Sequence, residues 1–230
     1  MRALSSIVFI AFSLSCLAQN LTEQVDTFLK KHVKNGLVDY KKIKATPAEL
    51  NQLLNQFNRT PLLKGDAEKA LLINAYNIFV VKGVVDNYPA ESPLKIEGFF
   101  DKQTFSFRGK KVTLNQLEKE RLYKQFPDAR LHFALVCAAV GCPKLASHAY
   151  SKDKLDAQLD EQTRSVINDP TFIRLNGSSA KVSQIFDWYA ADFGGKENVI
   201  PFIQKYLFKK VLLSTKYSFY EYDWTLNELK

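Results

Sequence analysis

The first part of the chain carries apolar residues spaced three and four positions apart, the pattern of amphipathic helices. Residues 22–33 and residues 47–57 each present one apolar face in this way. A longer and more apolar stretch, residues 67–88, predicts a third helix that Asp66 caps and Pro89 ends. We therefore expect a helical N-terminal part.

The pattern then changes to one that includes strands. Residues 104–114 alternate around an Arg-Gly-Lys turn and predict a β-hairpin. Thr113 and Gln116 form a capping box for a helix from residue 114 to about 123. The apolar run over residues 130–137 predicts a buried strand.

The remainder of the chain continues this mixture, without a linker or an internal repeat. It predicts one α+β domain over residues 19–230, with N-terminal helices packed on a mostly antiparallel sheet with β-hairpins. The further predicted elements are a helix from Ser151 to residue 167, a hairpin over 172–183, helices over 184–193 and 202–208, and a strand over 216–224.

Residues 1–18 have the features of a cleaved secretory signal peptide. Arg2 supplies a positive charge, an apolar run follows, and the run ends in Cys16-Leu17-Ala18 before Gln19. Cys16 also suggests lipid attachment, but Ser13 stands where such a motif prefers leucine, which favours simple cleavage. We expect a secreted or periplasmic protein with no transmembrane segment.

The formal net charge of the 230-residue chain is +8, and its basic residues are spread along the sequence. Such a distribution is typical of a solvated basic surface, with at most a weak attraction to anionic surfaces. No motif points to nucleic-acid binding. We expect no cofactor.

Cys137 is the candidate nucleophile of the sequence, because an exported thiol beside histidines can serve thiol chemistry. His132 is its nearest imidazole, but strand alternation places residues 132 and 137 on opposite faces. His148 lies beyond the next turn and can fold back toward Cys137. His32 falls on a helix whose neighbouring lysines suggest a solvent face.

Two structural interpretations compete with catalysis. In an oxidising compartment, Cys137 and Cys142 are expected to form a disulfide across a turn, with Gly141 free to take a positive φ. As a minor alternative, His132, Cys137, Cys142 and His148 form a Cys₂His₂ set for zinc.

Asn74 and Asn77 lie three residues apart on one face of the third predicted helix. They either hold neighbouring backbone as scaffold or line a cleft that binds a peptide-like ligand. Glu118 follows the capping box and is a further candidate for the same cleft, although an ion pair with arginine is the commoner role of a helical glutamate.

Five segments fall in order along the chain: LLINAYNIFVV (71–81), TLNQLEKERL (113–122), LHFALVCAAVGCPKL (131–145), WYAADFGG (188–195) and YDWTLN (222–227). Together they resemble a bacterial family, the domain of unknown function 547. The resemblance implies no known activity, and adds only a remote, fold-level likeness to papain-like thiol enzymes. Family members usually carry Glu-His where this chain has Glu118-Lys119.

Two functions remain open. The first is a thiol-dependent hydrolase or acyl transferase acting on peptide-like substrates, with Cys137 as nucleophile, His132 or His148 as base and Asn74 at the substrate or an oxyanion. The second is a non-catalytic binding or envelope-associated module with a structural Cys137–Cys142 disulfide.

Overall fold

The computed structural model describes residues 20–209, 212–214 and 216–230. The predicted signal peptide lies outside these residues. The described chain is an α+β fold, as the sequence predicts. Within it, no helix combines the length and the apolar character that crossing a bilayer requires.

The N-terminal part is helical, and its helices surround one buried helix. Helix α4 is buried over most of its length, which is why its apolar residues occupy all faces. Helix α3 instead packs one stripe, Leu50, Leu53 and Phe57, into the core. In chain order the elements are α1 (residues 20–32), β1 (Val33–Lys34), β2 (Leu37–Val38), α2 (Tyr40–Ala45), α3 (Ala48–Arg59) and α4 (Gly65–Asn87).

The second part of the chain packs smaller elements against this helical layer. They are β3 (Phe105–Phe107), β4 (Lys110–Val112), a π-helix (Gln116–Tyr123), α5 (Leu131–Ala134), α6 (Leu155–Ile167), β5 (Ile173–Asn176), β6 (Ser179–Ser183), α7 (Ile185–Trp188), α8 (Val199–Tyr206) and β7 (Tyr217–Tyr220).

The strands of the described residues form three small sheets rather than one. Strands β1–β2, β3–β4 and β5–β6 are antiparallel hairpins, and the last two confirm the predicted hairpins. Strand β7, predicted from its alternation, joins the third sheet parallel to β6.

Several local predictions are confirmed in detail. The capping box is present, since Thr113 N–H donates to Gln116 Oε1 (3.0 Å) and Gln116 N–H donates to Thr113 Oγ1 (3.2 Å). The helix that follows is a π-helix, a rare geometry that is frequent at functional sites.

Other local predictions are wrong. The predicted buried strand over 130–137 begins instead as helix α5, because Asp128 turns the chain by accepting from Arg130 N–H and Leu131 N–H. A short apolar run does not by itself distinguish a buried helix from a buried strand. Helix α6 begins at Leu155, one turn after the predicted cap Ser151, whose carbonyl accepts from Lys154 N–H.

Candidate functional site

The segment from Cys137 to Cys142 is a tight loop that packs against residues 222–227, which we call the C-terminal segment. Val140 N–H donates to Thr225 O and Gly141 N–H donates to Asp223 O, both at 2.8 Å. A side chain at Gly141 would place Cβ 2.8 Å from Asp223 N, so glycine is required for this close approach. The positive φ of the loop belongs to Ala138 (63°), not to Gly141 as the sequence suggested.

The buried α4 residue Asn77 holds the near end of this loop. Its amide donates to Ala134 O (2.9 Å), and its carbonyl oxygen accepts from Val136 N–H (3.1 Å). Asn74 binds the backbone of Tyr150 in the same two-way manner (2.8 and 2.9 Å). Both amides therefore satisfy backbone groups, which is the scaffold role; Asn77 positions the residues that lead into Cys137.

Cys137 and Cys142 are both free thiols, so the Cys137–Cys142 disulfide is not formed. Cys137 is partly exposed, whereas Cys142 is buried behind it. Cys142 Sγ faces the backbone, where it accepts from Cys137 N–H at 3.1 Å. The Tyr222 hydroxyl lies 3.1 Å from Cys137 Sγ.

These contacts make the two thiols unequal. The pKa of Cys137 lies below its usual value, because Cys142 and then Tyr222 hydrogen-bond to its thiolate and outweigh burial. The pKa of Cys142 lies well above its usual value, because it is buried and its proton is held by Cys137. Cys137 is therefore the thiol that ionises first.

Cys137 lines a cavity of about 370 Å³, which we call the Cys137 cavity. Its wall combines aromatic and aliphatic side chains with few polar groups. The residues around it are Tyr76, Phe100, Asn115, Glu118, His132, Leu135, Val136, Cys137, Cys142, Ile185, Trp188, Tyr189, Tyr222 and Trp224. This is the form of a ligand pocket, apolar with a few placed polar groups.

Glu118 reaches this cavity from the π-helix. Burial raises the pKa of its carboxyl, and a hydrogen bond with Tyr76 opposes that effect only in part. The carboxyl therefore keeps its proton to a higher pH than an exposed glutamate and can act as an acid. The neighbouring Lys119 is exposed to solvent.

His132 also lines the cavity, but both of its ring nitrogens are engaged. Nε2 lies 2.8 Å from Asp192 Oδ2, and Nδ1 lies 2.9 Å from the Tyr123 hydroxyl. Since an ionised Asp192 only accepts, Nε2 donates and Nδ1 accepts from Tyr123. Burial lowers the pKa of His132 against the opposing effect of Asp192, which keeps the ring neutral.

The structure does not bring His148 to Cys137. His148 lines a separate and larger cleft of about 830 Å³ between α1, α4 and the start of α6. The four-residue zinc set is therefore not assembled. Among the residues that the structure describes, no group of three or more His, Cys, Asp or Glu side chains is arranged to hold a metal ion.

Sequence reasoning missed most of the aromatic wall. Trp188, Tyr222 and Trp224 lie together at the mouth of the cavity, with Trp188 to Tyr222 and Tyr222 to Trp224 ring centroids 5.0 and 4.7 Å apart. We call these three residues the aromatic rim. Their signal in the sequence was their place in two of the family segments, residues 188–195 and 222–227, and the aromatic alternation after residue 216 indicated only a strand.

Residues 61–167 match the family described as "Protein of unknown function, DUF547". The match confirms the family resemblance and includes the π-helix, α5 and the Cys137–Cys142 loop. Trp188, Tyr222 and Trp224 lie beyond it. No curated protein and no solved structure matches the chain, so the papain-like likeness stays a prediction.

Proposed function

We propose that the protein is a thiol-dependent hydrolase or acyl transferase acting on peptide-like substrates, with Cys137 as its nucleophile. One observation carries the proposal. The partly exposed Cys137 sulfur lines an apolar cavity, the Tyr222 hydroxyl lies 3.1 Å from it, and Cys142 Sγ accepts from the Cys137 N–H behind it. Donors placed around a thiol favour the thiolate, which is the reactive form.

The thiolate does not require an imidazole base in this arrangement. Both nitrogens of His132 are occupied, and His148 and Asn74 lie outside the cavity. The proposal therefore assigns His132 to positioning: with Tyr123 and Asp192 it fixes one wall of the cavity.

Glu118 supplies the acid of the proposed reaction. The Cys137 thiolate attacks the substrate carbonyl carbon, the carbon–sulfur bond forms, and the bond to the leaving group breaks as that group takes the Glu118 proton. Water, or the nucleophile of an acceptor, then cleaves the thioester and returns a proton to Glu118. The thiolate is restored, and protons balance over the cycle.

Export is part of the proposal on sequence grounds alone, through the signal-peptide features of residues 1–18. The second function, a binding or envelope-associated module with a Cys137–Cys142 disulfide, requires that the native protein contain no free thiol at these positions. A thiol count on the purified full chain under non-reducing conditions separates the two.

The acyl-enzyme itself provides the direct test. We expect p-nitrophenyl acetate to release a burst of nitrophenol and to leave one acetyl group on Cys137, seen by intact mass and peptide mapping. Cys137→Ser should lose the burst and the adduct, whereas Cys142→Ala should form the adduct more slowly. An acetyl group on lysines alone, with no burst, would overturn the proposal.

A further inference from the structure

We propose that the acyl part of the substrate carries an uncharged aromatic side chain, which packs against Trp188 and Trp224 of the aromatic rim. This inference rests on the proposed thiol chemistry and adds a substrate class to it. It makes Trp188 and Trp224 specificity residues, with no role in bond breaking.

The rim is directly connected to the reacting sulfur. Tyr222 touches Cys137 Sγ through its hydroxyl, and its ring contacts both indoles. Trp188 and Trp224 are 5.9 Å apart at 26°, so they present neighbouring and nearly parallel faces. A side chain next to the attacked carbonyl can therefore reach the rim.

The exposure of these indoles is unusual for their size. Trp188 is 46% exposed and Trp224 is half-buried, although tryptophan is normally well buried. Both lie at the opening of a mostly apolar cavity. An aromatic ring placed there gains stacking or edge contacts as well as burial, and an aliphatic group gains burial alone.

The cavity disfavours charged side chains. Among its described lining residues there is no lysine or arginine, and the carboxyl of Glu118 is buried and hydrogen-bonded to Tyr76. An anionic group entering it would lose water and find no partner of opposite charge, and a cationic group would lose its water against a mostly apolar wall. The lining excludes phosphate-bearing and strongly anionic substrates for the same reason.

One polar side chain of the cavity, that of Asn115, can bind the peptide backbone of the substrate. Asn115 lines the cavity, and its side-chain amide makes no hydrogen bond within the part of the chain that the structure describes. It is held by its own backbone, whose N–H donates to Phe100 O at 2.9 Å. An amide in this position can pair with a peptide N–H or C=O of the substrate.

The first test uses N-acetyl amino-acid chloromethyl ketones with phenylalanine, alanine, aspartate and lysine side chains, and chloroacetamide as the minimal reagent. Rates of Cys137 alkylation on the full chain are normalised to those of free N-acetylcysteine. We expect the phenylalanine reagent to react about ten-fold or more faster than the others. Trp188→Ala should reduce this ratio to about three-fold or less, whereas Trp188→Phe and the exposed control Leu62→Ala should keep it.

The second test measures binding without chemistry. The chain contains two tryptophans, Trp188 and Trp224, so its intrinsic tryptophan fluorescence reports on the rim alone. In Cys137→Ser, N-acetylphenylalanine amide should change this fluorescence in a saturable way, and N-acetylaspartate amide should not at equal concentration.

The two proposals fail in different ways. Equal normalised rates for all four ketones, with Cys137 still alkylated by chloroacetamide, would overturn the substrate class and leave the thiol chemistry standing. Absence of Cys137 alkylation by every reagent would contradict the thiol chemistry. In that case the fluorescence titration alone decides whether the rim binds aromatic side chains.

Discussion

The hydroxyl of Tyr222 lies 3.1 Å from the sulfur of Cys137, although the two residues are 85 positions apart in the chain. The C-terminal segment holds this contact in place. Its residue Asn227 accepts from the Tyr40 hydroxyl (2.7 Å), and Tyr222 N–H donates to Gln184 Oε1 (2.8 Å). The C-terminal segment thus forms part of the cavity wall.

Removing that hydroxyl should make the thiol less acidic. Burial raises the pKa of Tyr222 well above its usual value, so it stays protonated and donates to the thiolate across the neutral range. In Tyr222→Phe the pKa of Cys137 should rise, and the pH–rate profile of chloroacetamide alkylation should move about one pH unit higher. Tyr220→Phe, which loses a hydrogen bond to Phe172 O instead, is the control. An unchanged profile in Tyr222→Phe would show that the hydroxyl does not stabilise the thiolate.

Gly141→Ala should disturb the same contact from the other side. The added methyl group meets Asp223 N at 2.8 Å, so either the Cys137–Cys142 loop or the C-terminal segment must move. We expect a loss of about 1–3 kcal/mol in the free energy of unfolding, together with slower alkylation of Cys137. Val140→Ala, at a half-exposed position of the same loop, should change both measurements little. Equal stability of Gly141→Ala and the parent chain would contradict the close approach.

The buried ion pair between Glu68 and Arg108 should be essential for stability. Arg108 Nη1 and Nη2 each bind one carboxylate oxygen of Glu68 at 2.7 Å, and the Glu68 side chain is only 3% exposed. Arg108→Met leaves that carboxylate buried without its partner, so chemical denaturation should show a loss of about 3–5 kcal/mol. The exposed pair of Lys95 with Glu91 offers the matched control, since Lys95→Met should reduce stability far less than Arg108→Met. If the two variants lost similar free energies of unfolding, the buried ion pair would contribute no more to stability than the exposed one.

Asp128 should give the protein an acid-sensitive contribution to stability. Burial raises the pKa of this carboxyl, but Arg130 and Lys69 outweigh burial and hold it at about 2. Because the folded pKa lies below the unfolded value of about 3.9, the contribution is complete above pH ~4 and is lost as pH falls toward ~2. It amounts to at most about 3 kcal/mol, because the two pKa values differ by roughly two units.

Urea denaturation across this pH range provides the measurement. The unfolding free energy of the parent chain should fall more steeply between pH ~4 and ~2 than that of Asp128→Asn. Asp153→Asn, at an exposed position, should keep the parent slope. If the unfolding free energies of Asp128→Asn and the parent fell in parallel with pH, Asp128 would not be the source of the acid-sensitive stability.

Much of the secondary structure could be predicted from residues close together in the sequence. The apolar spacing of α3 and α4, the turns of two hairpins and the Thr113–Gln116 capping box each depend on residues a few positions apart. Helix α5 could not be read in this way. Its apolar run fits a buried strand equally well, and the turn at Asp128 decided between them.

The candidate site likewise combines features that short sequence patterns predict with features that depend on tertiary packing. The family resemblance, the mixed fold and Cys137 as the candidate nucleophile could be inferred from residue types and short spacings. Three features could not: His132 is held by Asp192 and Tyr123, His148 lies elsewhere, and Tyr222 faces the thiol. These contacts join segments distant in sequence, and they form only when helices and sheets pack around the buried α4. Local patterns encode which elements form; packing between them selects which side chains meet.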